Sequence, residues 1–432
     1  MGRRTASALG ILAALGLLTA CGGGGSGDAD TPDGGAGPGT SASPAAKSYD
    51  PPVTFEDPGA QHIVGGALDD EAWNVRLDGT TAYAVSDGGV RAVSALDGRR
   101  LWSVKPQGEP TEDADHGAGS VSRPVFAQID GKRALLAAFA VTAPGSGTTP
   151  DRPLVEVTAL DPGTGKRLWT TTVQRPGSRE QGDPVLVGAN ADTAVIRLGD
   201  DRHASSVGVA LGTHKAAWTA EGFAAKFVDT GVTVGLADAN GETDGGISVQ
   251  GVGLADGKPA WTYDGPELLG ATLAPVGVGA GVFTADLDPR AYDERDGAVL
   301  LTASTGRPPA SYGSARTAGL SSLTCLWDER GTTVCASTAR ENGHKRVFAL
   351  DTTWKELWSI EEGDGTDRLV PEISTAWHGA VYGGTENGPV ILDARTGEDR
   401  AADGGITPFA VSAYAGLVRT PAAGIEAYRA IG

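Results

Sequence analysis

The stretch Ala159-Leu-Asp-Pro-Gly-Thr-Gly-Lys-Arg-Leu-Trp169 recurs along the chain, and no other feature restricts the fold as much. It reads as a strand ending in Ala-Leu-Asp, a glycine-rich turn, and a short strand carrying a tryptophan. Worn copies are Ala95-Leu-Asp-Gly-Arg-Arg-Leu-Trp102, Leu211-Gly-Thr-His-Lys-Ala-Ala-Trp218, Leu254-Ala-Asp-Gly-Lys-Pro-Ala-Trp261 and Ala349-Leu-Asp-Thr-Thr-Trp-Lys-Glu-Leu-Trp358. Leu392-Asp-Ala-Arg-Thr-Gly397 keeps the turn and lacks the tryptophan. Successive tryptophans lie 67, 49, 43 and 97 residues apart, the last gap close to two periods. The skipped copy is Leu300-Leu-Thr-Ala-Ser-Thr-Gly306-Arg-Pro-Pro-Ala310, with alanine at the tryptophan position.

A repeat of about 40 to 50 residues, built of short apolar runs and Gly or Asp turns, is the pattern of a four-stranded propeller blade. The 65 glycines among 432 residues, about twice the ~7% average usage, fit a turn-dense all-β chain. Strand groups are predicted to start near Trp73, Arg123, Pro184, Phe223, Gly270, Ser321, Pro371 and Ile406. The spacing gives a single propeller of eight blades, with seven as the alternative. The last group runs out after three strands at Ala430, so Pro52-Val-Thr-Phe-Glu56 is the candidate strand that closes the ring. Trp102, Trp169, Trp218, Trp261 and Trp358 fall on outer strands, where a large aromatic docks one blade on the next.

Residues 1–20 read as a signal peptide, with Arg3 and Arg4 before an apolar run too short to span a bilayer. Leu18-Thr19-Ala20-Cys21 resembles the lipobox of bacterial lipoproteins, which implies lipidation of Cys21 and a membrane anchor outside the cytoplasm. Residues 21–50 are rich in Gly, Ser, Pro and Ala without apolar periodicity, the composition of a flexible tether. Residues 51–432 are then the propeller, expected as a monomer. The net charge of −19 excludes nucleic acid and anionic lipid as partners, since both need a basic footprint.

The Ala-x-Asp-x-x-Thr-Gly-x-x-x-Trp pattern of residues 159–169, with the lipobox, resembles the PQQ-binding-like, or quinoprotein dehydrogenase-like, repeat of actinobacterial propeller lipoproteins. It is similar, more distantly, to the propeller lipoprotein of outer-membrane barrel assembly. The fold hosts both enzymes and scaffolds, so the resemblance specifies architecture more than activity. Quinoproteins of this kind carry adjacent cysteines beside the cofactor, and this chain has none. Cys325 and Cys335 sit instead across a hairpin with the loop Glu329-Arg330-Gly331, where they oppose each other and are expected to form a disulfide.

First-to-second and third-to-fourth turns share one face of a propeller, and here they are short. The opposite face receives longer loops: 109–116, 199–205, 238–246, 286–297 and 361–368 hold 18 acidic residues against four arginines. Glu112, Asp113, Asp115, Asp200, Asp201, Asp286, Asp288, Asp293, Glu294 and Asp296 are the candidate partner face, since loops on a rigid scaffold carry function. Asp238, Asn240, Glu242 and Asp244 place oxygens at alternate positions, a weak calcium pattern without the glycine and distal glutamate of known loops. The chain contains no His-Glu-x-x-His, Cys-x-x-Cys or Gly-x-Ser-x-Gly motif, so no catalytic residue is assigned. The reading is a non-enzymatic tethered propeller that binds a protein, cell-wall or small-molecule partner through the acidic face without a cofactor. The alternative is a PQQ- and calcium-dependent oxidoreductase.

Overall fold

Apolar runs bounded by turn residues become strands, and the burial of each depends on its rank within its sheet. Thr193–Leu198, a second strand, is buried at every position but Arg197, because it is flanked in its sheet and covered on both faces. Arg100–Val104, an outer strand, leaves Arg100, Leu101 and Ser103 exposed and turns Trp102 inward. The computed structural model describes residues 46–432 except 67–71, 112–121, 176–183, 200–203, 239–246, 264–267, 277–281, 290–297, 310–319, 340–342 and 403. The described residues form an all-β, antiparallel architecture with no helix. Residues 1–45, which include Cys21, lie outside them.

Seven sheets are hydrogen-bonded as units; six have four or five strands, and of these all but the last are built from consecutive strands. They span residues 74–104, 125–174, 185–221, 320–361 and 372–401, then a last sheet of Ala410–Val411, Ala415–Thr420 and Gly424–Arg429 joined by Gln61–Val64. The seventh, of seven strands, is two successive runs, 223–262 and 268–302, joined by the single pair Ile247↔Leu268. Each begins within a few residues of the start that the repeat spacing gives. Apolar clusters seal every junction in chain order: Leu136 with Ile196, Val334 with Val381, Tyr382 with Ile406 are examples. Ile63 and Leu417 of the last sheet pack with Ala84 of the first, so the ring is closed.

Closure differs in detail from the sequence expectation. The strand that completes the last sheet is Gln61–Val64, paired antiparallel with Gly424–Arg429. Pro52–Glu56 contributes only the bridge Phe55↔Ala430 and backbone bonds such as Val53 N–H to Gly432 O at 2.7 Å. Both stretches run along the same C-terminal strand. The cis Asp57-Pro58 bond lies in the detour between them.

Two loops assigned from sequence are shorter than expected. Asp286 and Asp288 lie in the strand Val282–Pro289, and Asp238 ends the strand Val232–Asp238. Glu109–Pro110 also pairs, along the same edge of Lys132–Ala143 that Val125–Ile129 uses.

The recurring Gly and Trp meet across junctions. Nε1 of Trp102, Trp218, Trp261 and Trp358 donates to the carbonyls of Pro162, Leu254, Ala303 and Ala394 of the following unit, at 2.8 to 3.0 Å. Each acceptor lies three residues before a turn glycine with φ of 64° to 72°. A Cβ on Gly165, Gly257, Gly306 or Gly397 would come within 2.3 to 2.7 Å of the same indole. These glycines therefore serve the left-handed turn and the close approach together.

His214 stands at the glycine position opposite the fifth repeat tryptophan, at φ 58°, and stacks on Trp169 with ring centroids 4.5 Å apart. The imidazole takes the place the turn backbone occupies elsewhere, and Trp169 Nε1 is buried without an acceptor. His214→Gly is expected to raise stability by about 1 kcal/mol, because relief of the left-handed histidine and a regained indole bond outweigh the lost stack. Urea midpoints of the two proteins compare this directly, and a lower midpoint for the variant refutes it.

Candidate binding cavity

In each sheet the first strand is innermost, and its unpaired edge faces the ring axis. Backbone N–H and C=O groups on such an edge need water or a ligand. The innermost strands enclose a cavity of about 1260 Å³ that touches Asn74–Gly79, Arg123–Phe126, Val187–Asn190, Phe227–Thr230, Thr375–His378 and Phe409–Ala413. Side chains from well-separated segments thus meet at one place.

Three arginines line this cavity, Arg76, Arg123 and Arg419, and all three are exposed. Arg76 lies over the Phe126 ring at 5.1 Å, and Arg419 over Phe409 at 5.7 Å. Arg419 sits on a second strand, so its side chain reaches the cavity across that phenylalanine. Arg76 is open to the cavity but enclosed by its walls, and that desolvation, followed by the neighbouring Arg133 charge, lowers it from the ordinary arginine value, against Asp78 and Glu329; it stays charged. Among the described residues, none of the three makes an ion pair.

The carboxylates that share the cavity are engaged. Asp78 accepts a two-pronged pair from Arg133, at 2.7 and 2.9 Å, and that bond raises the Arg133 pKa. Asp229 accepts from the Thr230 amide and hydroxyl at 2.6 and 3.1 Å. Glu329 lies 3.6 Å from His378 Nε2.

The N-terminal segment runs across the tight-turn rim of this cavity. Tyr49 N–H donates to Ala413 O at 2.8 Å, and buried Tyr382 donates its hydroxyl to Pro52 O at 2.8 Å. Asp50 pairs with Arg330 and, at 2.5 Å, with His378 Nδ1, whose ring is stacked on Trp377. Partial burial works to raise the Asp50 carboxyl, but the hydrogen bond and charge of His378, with Arg330, hold it below the ordinary aspartate value. A depressed pKa contributes stability above the ordinary carboxylate range and loses it as pH falls through the folded value. Hydrogen exchange at Tyr49 should therefore quicken between pH 5 and pH 3, beyond the intrinsic rate change. Asp50→Asn should abolish that added dependence; a variant that keeps it excludes Asp50 as the latch.

Of the residues singled out from sequence, Cys325 and Cys335 are directly opposed and bonded, with Cα atoms 4.0 Å apart. They are buried among Leu323, Phe348 and Leu350, within the 320–361 sheet. Glu112, Asp113, Asp115, Asp200, Asp201, Asp293, Glu294, Asp296, Asn240, Glu242 and Asp244 lie outside the described residues. The acidic loop 361–368 is described, and it is internally bonded. Asp364 accepts from the Thr366 amide and hydroxyl at 2.8 and 2.6 Å, while Arg368 donates to Asp399 and Gly397 O.

Sequence reading missed the cavity and also Glu156, 1% exposed in the strand Arg152–Leu160. Its carboxylate accepts from the amides of Gln107 and Gly108 at 2.8 to 2.9 Å, fixing the connection between the first two sheets. An interior glutamate in an apolar strand run was the only signal.

Among the described residues no three His, Cys, Asp or Glu side chains stand close enough to hold a metal ion. The disulfide links residues ten apart inside a sheet and is not a vicinal pair beside the cavity.

No curated protein matches the chain. Among solved structures it is similar to the WD40 domain of SCAP from fission yeast, at 9% identity and TM-score 0.38 over 88% of this chain and 97% of that one. The Dos1 propeller gives 13% identity and TM-score 0.38 over 81% and 74% of the two chains. Rhamnogalacturonan lyase YesW gives 14% and 0.39 over 89% and 75%. The family model described as outer membrane protein assembly factor BamB matches residues 63–207 and 154–402, more than half of the chain. With its closed ring of antiparallel sheets and its Gly-to-Trp junctions, the chain belongs to this family of PQQ-like β-propellers.

Proposed function

We propose that this chain is a non-enzymatic propeller lipoprotein, anchored outside the cytoplasm through Cys21, that binds a protein or other cell-envelope partner on its acidic long-loop side. The observation that carries the reading is the match of residues 63–402 to a family described as an outer-membrane assembly factor. The position of Tyr49 and Asp50 beside the tight turns adds support. An anchor N-terminal to them pulls on that rim and leaves the long loops to a partner. A one-sign loop face steers an oppositely charged surface toward itself.

Charge reversal of Asp113, Asp115, Asp293 and Asp296 is expected to abolish partner capture in a pull-down from cell envelopes. Capture that survives the reversal rules out the acidic face. Cys21→Ser is expected to move the protein from the membrane to the soluble fraction, and continued membrane retention rules out the anchor. Turnover of a dye acceptor after addition of PQQ and calcium would replace this reading with the oxidoreductase one.

A further inference from the structure

We infer that the central cavity is a binding site for a small organic oxyanion, a carboxylate- or phosphate-bearing molecule gripped by Arg76, Arg123 and Arg419. The three come from the 74–104 sheet, the lead-in to the 125–174 sheet and the last sheet, which are consecutive around the ring. They therefore occupy one wall. The other carboxylates of the cavity, Asp229 and Glu329, belong to the 223–262 run and the 320–361 sheet, and each has a partner of its own: Asp229 holds the Thr230 amide and hydroxyl, while Glu329, whose charge also reaches Arg76, lies 3.6 Å from His378 Nε2. Asp78, the one carboxylate on the arginine wall, is already neutralised by Arg133. In a chain of net charge −19, a wall of cations that makes no ion pair among the described residues is the place where an anion is attracted rather than repelled.

The support of the guanidinium groups adds specificity. Arg76 and Arg419 are held over aromatic rings, at 5.1 and 5.7 Å. A cation–π contact uses the face of the guanidinium and leaves its in-plane N–H fork open for a two-pronged oxyanion. Phe227, Phe409 and Trp377 also line the cavity, which suits the carbon body of an organic ligand better than a free inorganic ion. This inference is independent of the lipid anchor and of the acidic loops. It concerns a different part of the ring.

Isothermal titration of the intact protein with citrate and with pyrophosphate, in EDTA and at low salt, tests it and separates the two headgroup chemistries. Saturable binding of at least one probe at one site is expected. Arg123→Gln and Arg419→Gln, at exposed positions with no ion pair among the described residues, should each weaken that binding about 10- to 100-fold, the worth of a charged hydrogen bond. Arg76→Gln should do the same, with unchanged thermal midpoints confirming that each variant is folded. Arg99→Gln, outside the cavity and paired within its own turn to Asp97, should leave binding unaltered. Absence of saturable binding by both probes, or binding indifferent to all three cavity substitutions, overturns the inference.

Discussion

Replacing Trp218 with alanine is expected to cost about 3–5 kcal/mol, the range for a large buried aromatic whose space cannot collapse. The side chain is 8% exposed and packs with Val195, Phe223, Ala225, Val252 and Leu254 of its own and the next unit. Its indole lies between two glycines: a Cβ on Gly208, its cross-strand partner, would stand 2.2 Å from the ring, and one on Gly257 of the next unit 2.7 Å. Neither sheet has a side chain free to fill the vacated volume. The truncation also removes the indole N–H bond to the Leu254 carbonyl at 2.8 Å and leaves that oxygen with the longer bond from the Thr193 hydroxyl, at 3.4 Å. Gly257→Ala should be almost as harmful, because it combines the Cβ contact with a left-handed φ of 69°. A double-mutant cycle from urea unfolding separates the two causes. In the Trp218→Ala background the Gly257→Ala penalty should fall to the cost of the backbone alone, about 1–2 kcal/mol. An undiminished penalty means that the indole is not what the added methyl meets.

The same junction shows what the sequence makes legible. Short alternating runs and a period near 45 residues dictate strands and blades because each requirement is local or repeats at a fixed interval. Gly and Trp four residues apart are visible for that reason. Their partners are not, since the glycine serves the preceding unit's tryptophan and not its own. Once the junction is known, a complementary pair becomes readable: Ala310 stands at a tryptophan position, and the facing turn of the next unit has Trp354, at φ 63°, where glycine is usual. Trp354 packs against the cluster of Val276, Leu300 and Phe348, so the large side chain is supplied from the other side of the junction. The closing strand was placed too early for a similar reason. Pro52–Glu56 and Gln61–Val64 both run along the C-terminal strand, and only the pairing with Glu426 and Ala427 separates strand from bridge. The cavity arginines leave no sequence trace. Arg76, Arg123 and Arg419 occupy unrelated places in their repeats, and only closure of the ring brings them to one wall.

That closure depends on the N-terminal stretch, and shortening it is expected to give a sharp threshold. Removal of residues 1–45 leaves every described contact in place and should leave the thermal midpoint unchanged. Removal through Asp50 takes away an exposed latch to Arg330 and His378 and should change the midpoint little. Removal through Val64 strips Phe55, Ile63 and Val64, at 2%, 5% and 2% exposure, and uncovers the full edge of Gly424–Arg429. At about 1.5–3 kcal/mol for each buried side chain, the loss is roughly 5–9 kcal/mol, against about 5–15 kcal/mol for a whole domain. The last sheet also serves the first, through Ile63, Val64 and Leu417 against Trp73, Ala82 and Ala84, so the damage passes across the seam. An open edge of this kind pairs with other copies. The shortest chain should therefore elute as aggregates in size exclusion and lose its cooperative melt, while the two milder truncations remain monomeric. A cooperative, monomeric protein that begins at residue 65 would mean that the ring is held shut without its terminal strand.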